Sequence, residues 1–297
     1  MRILITGSRG QVGSQLMNIL NSGKSEIGEL PHELKNVDVI GKSSSELDII
    51  NFEKVRNFIG ELKPDVVINA AAYTNVDGCE SNEELAYAVN AYGAKNLAIA
   101  CEDIGAKLVH ISTDYVFEGV GNTPFNEYDE PSPQSVYGKS KSLGEKLVRE
   151  FSSKHFIVRP SWVYGYNGKN FVYTIMKIGK EKEHLKVVND QKGNPTNAED
   201  LCHHILKLIN TEEYGVYHCA GHGECTWYDF ACKIIELAKI SCIVTPCATH
   251  EYPTPTKRPE YSALDNERLR NTVGDEMRNW EEALKTFIEK VNILSLS

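Results

Sequence analysis

Residues 2–13 read Arg2-Ile3-Leu4-Ile5-Thr6-Gly7-Ser8-Arg9-Gly10-Gln11-Val12-Gly13. A short apolar, β-branched run ends in a glycine turn, and an amphipathic stretch at 11–21 follows. That order is strand, tight turn, helix, the opening of a βαβ unit. Glycines here let the turn close, let the backbone approach a pyrophosphate, and let the helix pack closely on the sheet, while the first-turn amides face the anion. The spacing is GxxGxxG, not GxGxxG. Its position between strand and helix is what turns Gly7, Gly10 and Gly13 into expected dinucleotide contacts.

The same alternation continues outward. Strands are expected at 2–6, 37–41, 65–69, 107–112 and 155–159, with helices at 11–21, 52–62, 82–104 and 135–151, joined by right-handed crossovers. This is an α/β chain with a Rossmann-like, doubly wound parallel sheet. After Gly165 the pattern loosens, with helices near 170–180, 198–210 and 226–238 and a Pro-rich segment at 252–259. Residues 1–165 read as the dinucleotide-binding domain. Residues 166–297 read as mostly a smaller C-terminal substrate lobe that returns part of its chain to the sheet.

In 297 residues, 41 acidic against 32 basic side chains give a formal charge of −9, which excludes a protein whose main work is gripping nucleic-acid backbones. No apolar run approaches the length of a membrane span, and the N-terminus lacks the apolar core of a secretory signal, so a cytoplasmic protein is expected. The eight cysteines form no CxxC pair and read as buried apolar groups in a reducing compartment. Cys202, His203 and His204 are adjacent, so on a helix they diverge, and no metal site is assigned.

The second expected strand ends Gly41-Lys42-Ser43-Ser44, with no acid to meet a ribose 2′-hydroxyl, and Arg9 lies in the glycine loop. NADPH is therefore favoured over NADH, against the plain reading of Arg9 and Lys42 as solvated charges. Asp48, in Leu47-Asp48-Ile49, is expected at the adenine edge or as a helix N-terminal acid. Tyr137 and Lys141 stand four apart on one helix face, a phenol beside a cation that can lower its pKa, as a carbonyl reduction requires of its proton donor. Tyr173 and Lys177 repeat the spacing but lie outside the sheet crevice. Lys257-Arg258, flanked by Pro253, Pro255 and Pro259, supplies the local cation that a diphosphate needs in an acidic chain; Arg258, with its planar fork, is the expected ligand.

The strings TGSRGQVG, PDVVINAAAYTNVD, HISTDYVF, YGKSK, RPSWVYG, VVNDQKGNPT and YPTPTKRP occur in order over nearly the whole chain. Together they resemble the extended short-chain dehydrogenase/reductase family, and within it the reductases of 4-keto nucleotide sugars. The resemblance implies NADPH or NADH as cofactor and a catalytic set of Thr113, Tyr137 and Lys141. It implies cofactor contacts at Gly10, Gln11, Val12, Asp48, Ile49, Ala72, Tyr73 and Thr74, with Ala71 and Ser112 beside them. Thr74, Thr113, Asp114, Tyr115, Trp162 and Asn170 are implied to line the sugar pocket. It leaves Mg²⁺ and a homodimer open.

Two departures stand out: Pro160 replaces the usual Thr, and the first crossover is longer around 22–35. Dehydratases of the family carry Thr-Asp-Glu where this chain has Thr113-Asp114-Tyr115, and without that Glu a second acid/base for eliminating water is missing. A nucleotide-sugar epimerase and a non-catalytic regulatory subunit are the rival readings, and the presence together of Thr113, Tyr137 and Lys141 favours turnover.

Overall fold

A computed structural model describes residues 1–294. Its centre is a six-stranded, all-parallel sheet of β1 (Arg2–Thr6), β2 (Asp38–Lys42), β3 (Val66–Asn69), β4 (Lys107–Ile111), β5 (His155–Arg159) and β6 (Gly215–His218). The spatial order is β6-β5-β4-β3-β1-β2, so the winding reverses at β1, between β3 and β2. In such sheets, ligands bind outside the carboxyl ends of the strands flanking that reversal.

Period-two alternation in β1 explains the two layers. Ile3 and Ile5 face Leu16, Ile19, Leu201 and Ile205 of α1 (Gln11–Ser22) and α6 (Ala198–Leu208). Leu4 faces the opposite layer, with Val55, Ile59, Leu97 and Cys101 from α2 (Phe52–Leu62) and α3 (Ala94–Ile104). A sheet covered on both faces must be apolar on both, which is why β1 and β3 read as continuous apolar runs.

The longer helices beyond these are α4 (Val136–Phe151), α5 (Phe171–Glu181), α7 (Trp227–Leu237) and α8 (Trp280–Leu294). A separate apolar cluster of Tyr164, Val172, Phe230, Leu284 and Phe287 joins α5, α7 and α8 beside the parallel pair His184–Val188 and Ile243–Cys247. Strand β6 comes from beyond residue 165 and pairs with β5, so the chain crosses back into the sheet.

One expected element differs. The helix expected at 82–104 is α-helical at Glu83–Tyr87, widens to a π-turn at Ala88–Gly93, and resumes as α3. The cause is Asn90, a poor helix former, which accepts from the Tyr73 amide at 2.8 Å and donates to the Tyr73 carbonyl at 3.2 Å and to Ser140 Oγ at 3.1 Å.

The longer first crossover forms a short hairpin, Lys24–Ser25 with Gly28–Glu29, and its Glu26 carboxylate is buried against the C-terminal lobe. It accepts from the Tyr166 hydroxyl at 2.5 Å and from Arg278 Nη2 at 2.8 Å, and pairs with Lys290 at 2.8 Å. Pro160 leaves its carbonyl to accept from the Asp114 amide at 3.0 Å, so it fixes the segment after β4. No helix among the described residues is long and apolar enough to cross a membrane.

Candidate active site

The glycine turn lies at the sheet's reversal. Gly7 has φ +68°, and a Cβ there would sit 2.7 Å from the backbone of Ala70 and Ala71. Only glycine lets these two strand ends approach. Helix α1 begins at Gly10 with no side-chain cap and no acid in its first turn, so its free amides fit an anion. A cavity of about 430 Å³ opens from them, lined by Gly7, Arg9, Gly10, Ser43 to Ser45, Leu47, Asp48, Ile49, Ala70, Ala71, Ala72, Tyr73 and Val89. Anion donors at one end and apolar side chains at the other fit a dinucleotide.

The other cofactor expectations fall around this cavity in different ways. Val12 packs into the core below the loop. Gln11 bridges the lobes, donating to the Val163 carbonyl at 3.0 Å and accepting from Asn170 Nδ2 at 3.1 Å. Asp48 accepts from the Ile50 amide at 3.0 Å, as a turn-forming acid does. Thr74 is exposed just past Tyr73. Lys42 stacks over the Phe58 ring at 5.3 Å, so α2 engages it, and the guanidinium at the cavity is that of Arg9.

Thr113, Tyr137 and Lys141 meet at the carboxyl end of β4. Ser135 caps α4 by accepting from the Gly138 amide at 3.1 Å, and Gly138 lets the helix rest on the Tyr115 carbonyl. The Tyr137 phenol is hydrogen-bonded to Thr113, whose own hydroxyl donates to Asp114 Oδ1 at 2.9 Å. Asp114 Oδ2 accepts from Ser161 Oγ at 3.0 Å. Lys141 is buried, with Nζ donating to the Ile111 carbonyl at 2.5 Å.

Burial pushes the Tyr137 phenol well above its ordinary range, opposed by the Thr113 hydrogen bond. Burial also drives Lys141 down to about 8, opposed by Glu145. The expected lowering of the phenol by Lys141 does not appear among the groups acting on Tyr137; desolvation dominates, and the phenol keeps its proton at neutral pH.

Beneath the trio lies a charge pair that the sequence reading missed. Glu145, one turn after Lys141, accepts from Arg159 Nε at 2.8 Å and Nη2 at 2.6 Å, with both side chains buried. Ser112 Oγ donates to Glu145 at 2.5 Å, so its hydroxyl points at this pair and not at the cofactor cavity. Glu145 was findable as an acid spaced i+4 from Lys141. Arg159 was not, because only the β4–β5 pairing brings it there.

On the substrate side, Tyr115 meets the Tyr137 ring edge-on at 5.5 Å. Arg258 bonds Tyr115 and pairs with Asp77 at 3.1 Å, while its Nε is buried with no partner among the described residues. Arg258 also borders an apolar cavity of about 610 Å³ that includes Phe171, Ile175, Leu185, Trp227 and Tyr252. Trp162 takes a left-handed backbone, φ +46°, and stacks on Trp227 at 3.5 Å, so it is a fixed wall shared with α7. Asn170 caps α5 through the Tyr173 amide and donates to Gln11 and the Gly165 carbonyl; it ties the lobes together and is not part of the group around Tyr137. In the 189–196 segment, Asn194 joins Gly223 and Leu264, a structural role.

The chain matches the model of the RmlD substrate binding domain family over residues 1–293. It belongs to the RmlD substrate binding domain family. Members and relatives with this fold include a dTDP-4-dehydrorhamnose reductase of Escherichia coli (strain K12), 37% identical over 98% of both chains. The spore coat polysaccharide biosynthesis protein SpsK of Bacillus subtilis (strain 168) is 39% identical over 97% of both. Among solved structures, a dTDP-4-dehydrorhamnose reductase of Clostridium acetobutylicum superposes with a TM-score of 0.93 at 47% identity, covering 98% of this chain and 100% of that one. The Bacillus anthracis reductase in complex with NADP gives 0.91 at 42% identity, covering 97% and 99%. This RmlD-family chain therefore carries the NAD(P)H-dependent oxidoreductase architecture of its relatives.

Proposed function

We propose that the chain reduces the C4 ketone of dTDP-4-dehydro-L-rhamnose to dTDP-L-rhamnose, in the synthesis of a cell-surface polysaccharide precursor, with NADPH favoured over NADH. The observation that carries this reading is the buried Tyr137 phenol, hydrogen-bonded to Thr113 at the carboxyl end of β4, one helix turn from the buried Lys141. Residues 1–165 would hold the cofactor and 166–297 most of the nucleotide sugar.

A reduced nicotinamide, when bound in the crevice, would supply the hydride. Tyr137 delivers its proton to the ketone oxygen. Thr113 hydrogen-bonds that oxygen as charge builds on it, an electrostatic aid placed before reaction begins. Lys141, held on the Ile111 carbonyl, stabilises the phenolate that Tyr137 leaves behind. The unpartnered Nε of Arg258 gives the diphosphate a donor. Arg9 at the edge of the cofactor cavity supports the preference for NADPH, whose 2′-phosphate a guanidinium grips.

The test is a stoichiometry. Supplied with dTDP-4-dehydro-L-rhamnose and NADPH, the chain should consume one reduced nicotinamide per ketone lost. Conversion of the sugar with no net loss of NADPH would point to epimerisation.

A further inference from the structure

The rim of the cofactor cavity carries an anion of its own. Strand β2 ends at Lys42, and the backbone turns at once through Ser43, Ser44, Ser45 and Glu46. The carboxylate of Glu46 folds back on this turn: its Oε2 accepts from the Ser43 amide at 3.0 Å and from Ser43 Oγ at 2.5 Å, and lies 3.8 Å from Arg9 Nη2. Ser43 hydrogen-bonds Ser45 at 3.0 Å, and Arg9, Ser43, Ser44 and Ser45 all line the cavity. In a dinucleotide-binding sheet, the end of the second strand is where the adenosine ribose presents its 2′-position.

We infer that Glu46 is a specificity-determining residue that occupies the donor set the 2′-phosphate of NADPH requires, and so restrains the chain's preference for NADPH over NADH. The inference rests on the dinucleotide reading of this cavity and goes beyond it. A backbone amide, a serine hydroxyl and a guanidinium converging on one oxygen are what a phosphate uses, and here a carboxylate holds them. Ser43 holds the Glu46 carboxyl below the usual range, so it is charged at neutral pH. An incoming 2′-phosphate must displace this carboxylate or sit beside it. Either course opposes NADPH, whereas the uncharged 2′-hydroxyl of NADH leaves Glu46 where it is. Lys42 offsets it only in part: it acts on Glu46 at a distance, behind Ser43 and Arg9, with its ammonium 5.3 Å over the Phe58 ring.

Glu46 also completes a one-turn Ser-x-x-Glu box with Ser43, and that structural role predicts a different result. Loosening the turn would weaken both cofactors alike. Removing a competing charge changes only the ligand that carries the 2′-phosphate.

The experiment titrates 2′,5′-ADP and 5′-ADP into the full chain by calorimetry, together with NADPH and NADH. In Glu46→Gln, affinity for 2′,5′-ADP and NADPH should rise by about fivefold, while 5′-ADP and NADH should change by less than about twofold. The gain should shrink with added salt, and should vanish in Glu46→Gln combined with Arg9→Ala. Equal changes for the two ligand pairs, or no gain for 2′,5′-ADP, overturn the inference while leaving the cofactor reading intact. Failure of the unaltered chain to bind any of the four removes the cofactor reading, and this inference with it.

Discussion

The Thr113 hydroxyl donates to the Asp114 carboxylate at 2.9 Å while the Tyr137 phenol is hydrogen-bonded to the same Thr113. The Thr113 bond opposes the burial-driven rise of the phenol's pKa, so it favours the ionised form that Tyr137 takes once its proton has left. The chain runs Tyr137 to Thr113 to Asp114, and Ser161 completes the carboxylate. In the proposed reaction a ketone oxygen enters between Tyr137 and Thr113, and Asp114 sets the hydroxyl's orientation until then.

Thr113→Val should lower kcat by about 10²-fold, the scale of losing one oriented donor at a developing oxyanion. Thr113→Ser, which keeps the hydroxyl, should stay within about threefold of the unaltered chain. Steady-state kinetics on the two variants check the role, and similar losses in both would assign Thr113 to packing instead.

Tyr137→Phe should cost about 10²–10⁴-fold in kcat with cofactor binding nearly unchanged, because it removes one proton donor and keeps the ring. Tyr173→Phe is the internal control. Its hydroxyl donates to the Tyr166 carbonyl at 3.1 Å, away from the trio, so turnover should be almost unaltered.

Lys141 gives the site a pH signature. Its pKa falls from the ordinary 10.5 to about 8 by burial, against the pull of Glu145. Between those values the unfolded chain binds a proton that the native chain does not, so this lysine's contribution to stability rises with pH there. Turnover should fall as pH rises through about 8, as the ammonium one helix turn from Tyr137 is lost. Denaturation midpoints of the unaltered chain minus those of Lys141→Met, measured at several pH values, isolate the first trend, and a pH–kcat profile gives the second. Glu145→Gln removes the opposing charge, so its alkaline fall in kcat should begin at lower pH. That variant also leaves the buried Arg159 uncompensated, which should destabilise the fold by about 3–5 kcal/mol.

What the sequence disclosed follows the range of each interaction. The β1–glycine–α1 unit was legible because strand, turn and helix signals are all local, and Tyr137 and Lys141 because one helix turn joins them. Glu46 was not singled out, since its meaning depends on Arg9 reaching across from another loop. Asn90 lay inside an apparently regular helix, and its hold on Tyr73 opens the π-turn only in the folded chain. Ser112 and Asn170 were legible as positions near the crevice but not as orientations: one hydroxyl turns to Glu145, and one amide closes on Gln11. Trp162 could be placed at a strand end, while its partner Trp227 comes from a helix more than sixty residues later.

Arg258→Ala should raise KM for the nucleotide sugar by about tenfold or more with a smaller effect on kcat, since the proposed diphosphate contact lies away from the reacting carbon. Arg258→Lys should recover part of that loss, because an ammonium cannot make the forked contact. Calorimetric titration with dTDP checks both. Unaltered affinity in Arg258→Ala would move the diphosphate toward Lys257 or Lys192.

In the proposed reaction a hydride passes to C4 of a 4-keto sugar while Tyr137 protonates its oxygen. Isotope transfer tests it most directly, using reduced cofactor deuterated at the transferring position of the nicotinamide and mass spectrometry with NMR on the sugar product. One deuterium per molecule is expected, located at C4 of dTDP-L-rhamnose, with formation slowed by about 10²–10⁴-fold in Tyr137→Phe. A converted sugar bearing no deuterium, or label at another carbon, would contradict it.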